Sequence, residues 1–130
     1  MSILLINPQD VSQPIGPYSQ GALVRESGSW LHIAGQIGAP VSGQAAATFT
    51  EQADLAWANV CHVLKDSGME VTNLVKVVTY IVGTENIPAM GPVREKYLQG
   101  HCPAATLLIV PALARPEWLV EIEAVAFKSE

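Results

Sequence analysis

The sequence predicts an α+β fold, with two helices on one face of a mostly antiparallel sheet. Three observations predict it. Short runs rich in β-branched residues lie at both ends and in the middle of the chain. Two helical patterns separate them, and prolines and glycines punctuate the joins. With 130 residues the chain is near the commonest size for one domain, so residues 1–130 are expected to form one.

Ile3–Ile6 reads as a short edge strand closed by Asn7-Pro8. Residues 12–20 carry two prolines and a glycine, which exclude a helix and predict an ordered loop. Residues 21–25 and 30–33 flank Glu26-Ser27-Gly28-Ser29, a hairpin signal. Residues 35–43 hold three glycines and a proline and read as loop. The clearest helix spans residues 44–67. Phe49, Ala53, Ala56, Trp57, Val60 and Leu64 recur there at three- and four-residue spacing, and Gly68 stands at its stop position.

Residues 74–82 are rich in β-branched side chains and read as a largely buried strand. Asn86 is placed to cap a second helix with Pro88 in its first turn, and Pro92 is expected to kink or restart it. Residues 106–110 and 119–127 are the last two expected strands, joined by a linker with two prolines. In the final strand Val120, Ile122, Ala124 and Ala126 form one apolar face, while Glu121 and Glu123 share the other. That second face must meet water or another subunit.

Composition narrows the function. Charged residues are only 15% of the chain, and 49% are hydrophobic. Too few charges remain to coat a monomer, which points to an oligomer with a large dry interface. A net charge of −5, with seven scattered basic residues, excludes a non-specific nucleic-acid binder. The longest nearly continuous apolar run, residues 104–114, is far shorter than the ~20 residues that span a bilayer. The opening segment lacks the basic flank of a secretory signal. No membrane association is expected, and the chain reads as cytoplasmic with reduced thiols. Cys61 and Cys102 lack CxxC or CxxH partners, so no metal site is expected.

Four local features bear on chemistry. Tyr18, braced by Pro17, either presents its hydroxyl to a ligand or caps the core. The glycines around Ala34-Gly35 either admit a ligand to backbone N–H groups or make a tight turn. Glu121 and Glu123 lie on one side of a strand, as acid or base groups if buried and as solubilising charges if wet. Neighbouring side chains on a helix point about 100° apart, which makes Cys61-His62 a poor catalytic pair. His101-Cys102 has no evident orienting partner, and both pairs read as structural.

Ile15-Gly16-Pro17-Tyr18-Ser19-Gln20, Ala34-Gly35-Gln36-Ile37, the Gly68 helix end before Val75-Lys76-Val77, and Val120-Glu121-Ile122-Glu123-Ala124 resemble the Rid family in order and spacing. The name means reactive intermediate deaminase, formerly YjgF or L-PSP, and the resemblance covers about residues 14–126. It implies a chorismate-mutase-like fold assembled as a homotrimer, with a central barrel and ligand clefts between subunits. It also implies hydrolysis of enamines and imines such as 2-aminoacrylate, without metal or organic cofactor. The partner is then a small metabolite.

By that resemblance Tyr18 lines the cleft, Glu121 orients the attacking water, and Ala34, Gly35, Ala105 and Thr106 contact the ligand. Three positions depart from the pattern. Ala105 stands where the family carries a carboxylate-clamping arginine, Ala34 where serine or threonine is usual, and Gly91-Pro92 where an asparagine is common. The loss at Ala105 argues against standard 2-iminobutanoate turnover. The alternative is a trimer that binds a metabolite or partner without catalysis. Arg115 is a candidate replacement cation for the clamp, but it lies about ten residues beyond Ala105 and strand geometry disfavours it.

Overall fold

The computed structural model describes residues 2–130. The elements in order are β1 (Ile3–Ile6), β2 (Gly21–Val24), β3 (Gly28–Ile37), α1 (Phe49–Asp66), β4 (Leu74–Ile81), α2 (Ile87–Leu98), β5 (Ala104–Ile109) and β6 (Val120–Ser129). Two helices and an antiparallel-rich sheet make the mixed α+β fold that the sequence predicts.

β3, β6, β4 and β5 form the main sheet in that order, and β1 pairs separately with β2. β6 runs antiparallel to both β3 and β4, whereas β4 and β5 are parallel. That parallel pair requires a crossover, and α2 supplies it. Alternation in β6 sorts its faces as expected. Val120, Ile122, Ala124 and Ala126 are buried in the main core with Ala53, Ala56, Trp57, Val60 and Leu64 of α1. Trp57 stacks on Tyr97 of α2, with ring centroids 5.9 Å apart.

Five expectations of local structure change. The expected pairing of residues 21–25 with 30–33 does not form, because β2 pairs with β1 and β3 with β6. The β1–β2 hairpin instead finds its apolar partners at one end of the sheet, where Ile3 packs on Val75 and Phe127 beside Leu5, Ala22 and Val24. β3 continues through Gly35 to Ile37 instead of ending at Ile33. Its register against β6 slips between Ile33 and Gln36, so Ala34-Gly35 sits in a β-bulge that tolerates glycine within a strand.

α1 begins at Phe49, five residues later than expected. The Thr48 hydroxyl accepts from the Glu51 N–H at 3.2 Å and donates to Glu51 Oε1 at 2.7 Å, which caps the helix there. The preceding alanines are drawn off by tertiary bonds, with Ala46 N–H donating to Gly38 O at 2.9 Å and Ala46 O accepting from Gln52. At the other end Gly68 adopts φ +71°, and Met69 N–H reaches Leu64 O at 2.9 Å, closing the helix in a Schellman motif. α2 runs unbroken through Pro92. Pro92 and Pro88 are both exposed, so the proline ring lies on the solvent side of the helix. Asn86 makes no cap bond and donates instead to Val82 O at 2.8 Å.

Candidate functional site

The predicted site residues fall into two groups. Tyr18 belongs to a loop whose shape is set locally and then pinned to β5. Tyr18 N–H turns back to Gly16 O at 2.8 Å, and Gln20 Nε2 reaches Ser12 O at 2.7 Å. Ser19, 2% exposed, bridges Ala104, and its N–H donates to Pro103 O at 3.0 Å. That clamp brings Tyr18 beside Ala105 and Thr106 in a cleft of about 590 Å³, closed on its far side by α2.

Ile15, Ile87 and Leu107 give this cleft an apolar lining, and Ala105 offers only a methyl group. Its cation is Arg94 of α2. Burial pulls the Arg94 guanidinium below its ordinary pKa, with Glu95 and Tyr18 acting the other way. Its Nε is buried without an acceptor among the described residues. Nothing in the sequence singles out Arg94. It follows the buried Val93 on a short helix and looks like any surface cation until α2 is docked.

Glu121, Gly35 and Ala34 form the second group. Gly35 in the β3 bulge lies against the Glu121 carboxylate, so close that a Cβ there would fall 1.9 Å from Oε2. Glycine is therefore required for Glu121 to hold this position. Beside it, Tyr80 of β4 donates its hydroxyl to Glu123 Oε1. That bond, with burial and the charges of Glu123 and Glu121, pushes the Tyr80 phenol above its usual pKa. Tyr80 and Glu121 are cross-strand partners, a proximity set by register and invisible in linear sequence.

One chain does not unite the groups. Ala105 lies opposite Val77, on the helix side of the sheet, whereas Glu121 is on the far side and two strands away. Strand spacings of ~3.3 Å along and ~4.8 Å across put them roughly 14 Å apart. Arg115 joins neither group. It lines a larger hollow of about 770 Å³ with Gln52 and Trp118, its guanidinium 6.0 Å from the Trp118 ring.

Neither histidine–cysteine pair is joined by a hydrogen bond among the described residues. The His101 ring is 2.8 Å from Leu74 O, Cys102 Sγ reaches Gly100 O at 3.7 Å, and burial raises the Cys61 thiol pKa. Among the described residues no cluster of His, Cys, Asp or Glu is arranged to hold a metal. No described helix is long and apolar enough to cross a membrane.

A family model described as Endoribonuclease L-PSP matches residues 9–128. The chain belongs to this family, also called Rid or YjgF. A Rid relative from Capra hircus, named 2-iminobutanoate/2-iminopropanoate deaminase, is 35% identical over 124 residues, covering 94% of this chain and 88% of its own. The Homo sapiens protein of the same name is 34% identical over 116 residues, 88% of this chain and 82% of that one. Among solved structures, the Rid protein YyfB from Yersinia pestis superposes with a TM-score of 0.89 at 29% identity, covering 98% of this chain and all of that one. E. coli TdcF with bound serine gives 0.73 at 28% identity, covering 97% and 99%.

Proposed function

We propose that this Rid-family chain hydrolyses small enamines or imines, releasing ammonia and a carbonyl product, in clefts between the subunits of a homotrimer. The observation that carries the chemistry is the likeness to 2-iminobutanoate/2-iminopropanoate deaminases across about nine-tenths of the chain. The division of the site residues supports the location. Tyr18, Ala105 and Thr106 of one subunit need the Ala34, Gly35 and Glu121 of a neighbour to make a complete cleft.

The sheet face opposite the helices is the surface on which subunits meet, and three such faces form the central barrel. His32 and Ala34 on β3, Val78 on β4 and Val125 on β6 lie there without a covering helix. Burial of this face against copies of itself accounts for a chain so poor in charge.

In the reaction an enamine tautomerises to its imine, and water adds to the C=N carbon. The resulting carbinolamine then expels ammonia. Glu121 orients the water and takes its proton, Tyr18 holds the substrate in place, and no metal or organic cofactor takes part. The second reading, a trimer that binds a metabolite without turnover, is favoured by one feature: the Ala105 methyl, which donates no hydrogen bond.

Generating 2-aminoacrylate or 2-iminobutanoate in situ and following loss of the imine tests the proposal. Wild type turns over and Glu121→Ala falls by at least ~100-fold, the usual worth of a positioned general base. An inactive wild type that gains activity in Ala105→Arg supports the second reading. Native mass spectrometry shows a trimer, and a monomer at micromolar concentration removes the shared cleft.

A further inference from the structure

We infer that Arg94 is the anion clamp of this cleft, so that its ligand is a monocarboxylate anchored from helix α2 and not from strand β5. The inference rests on the cleft assignment of the preceding section and names the residue of this chain that would hold the ligand's carboxylate.

The first support is the state of the guanidinium. Arg94 is partly buried in the wall of the cleft, and its Nε has no hydrogen-bond acceptor among the described residues. The ion pair found among those residues is elsewhere, between Lys96 and Asp54. A cation withdrawn from water without a counter-ion is costly, and a carboxylate with two parallel acceptors is the complement its planar fork fits.

The second support is the space around it. Its Nη2 lies 3.1 Å from where a Cβ on Gly16 would stand, so glycine at 16 leaves room for the head group. Ala105 lines the same cleft with a side chain that neither competes for the anion nor repels the guanidinium. A second arginine at 105 would set two cations in one small cleft. The small residue at 105 and the arginine at 94 are therefore parts of one arrangement, with the positive charge moved from strand to helix.

The third support is the lining. Tyr18 lines the cleft with Arg94, the Thr106 hydroxyl accepts from Lys76 Nζ at 2.9 Å, and Ile15, Ile87 and Leu107 supply an apolar wall. A carboxylate on Arg94 leaves the rest of a short aliphatic acid against that wall.

The test separates the clamp from the chemistry. Binding of 2-oxobutanoate, a stable monocarboxylate of the product class, is measured by calorimetry and amide chemical shifts against its uncharged methyl ester. Wild type prefers the acid. Arg94→Gln loses ~30-fold or more of that affinity and no longer distinguishes acid from ester, and Arg94→Lys falls between the two. Thermal melting confirms that each variant is folded.

In turnover of 2-iminobutanoate, Arg94→Gln raises KM more than it lowers kcat. An Arg94→Gln that binds the acid within twofold of wild type overturns the clamp, as does a wild type that binds neither compound or both equally. Turnover that survives unchanged in Arg94→Gln keeps the deaminase and removes the clamp. Binding that depends on Arg94 in a protein without turnover keeps the clamp and removes the deaminase.

Discussion

Two glycines three residues apart, Gly35 in β3 and Gly38 just beyond its end, separate stability from function. At Gly38 a Cβ would stand 2.3 Å from both Cα and Cβ of Gln52, inside the first turn of α1. Backbone cannot rotate away, so Gly38→Ala forces α1 off the sheet by more than an ångström. Overpacking of this kind costs about 3 kcal/mol, or roughly 10 °C of melting temperature for a chain of this size. At Gly35 a Cβ would stand 1.9 Å from Glu121 Oε2, the mobile end of a side chain. The carboxylate retreats to ordinary contact, 3.4 Å or more, by turning about its own bonds. Gly35→Ala therefore melts within about 3 °C of wild type, because the clash is relieved by rotamer change alone. Misplacing a catalytic group by about 1 Å costs on the order of 100-fold in rate, so imine turnover falls by about that factor. Circular dichroism melts and the coupled imine assay measure both. A Gly35→Ala protein that melts as low as Gly38→Ala, or turns over within threefold of wild type, refutes the reasoning.

Gln52, 1% exposed, donates to Ala46 O and Glu117 O and accepts from Leu119 N–H, each at 2.9 Å. Gln52→Leu strands all three backbone groups and costs about 3–5 kcal/mol in urea unfolding, with faster hydrogen exchange at Leu119. Thr48→Ala removes the α1 cap and costs about 1 kcal/mol in the same assay. The Asp54 carboxyl is held below its ordinary pKa by its bond to Lys96, and Tyr97 adds a second. Its contribution is present above the unfolded carboxyl pKa and fades as pH falls through the lower folded value. Asp54→Asn thus lowers the melting temperature slightly at about pH 7 and by less at about pH 2, the loss being small because the pair is exposed.

The sequence by itself determined the features that rest on local repetition. The 3.6-residue stripe of α1, its stop at Gly68 and the alternation that buries Val120, Ile122, Ala124 and Ala126 all follow from neighbours in the chain. The family resemblance was equally legible, because IGPYSQ and VEIEA are contiguous motifs. Where several weak preferences compete, distant partners decided. Alanines 45–47 favour helix but lost to the Thr48 cap and the bonds of Gln52, and Gly35 reads as loop until β6 pairs with it across a bulge.

The candidate site was the least legible part, for one physical reason. Its geometry is a matter of register and docking, which link residues far apart in the chain. Tyr80 meets the Glu121–Glu123 pair only through strand pairing, and Tyr18 reaches Ala105 only because Ser19 is bonded to the start of β5. By the family resemblance, the sequence raised the expectation of a clamping charge at the position of Ala105. Only the tertiary structure put Arg94 in the same cleft, because a helix face has no partner until it is packed against a sheet.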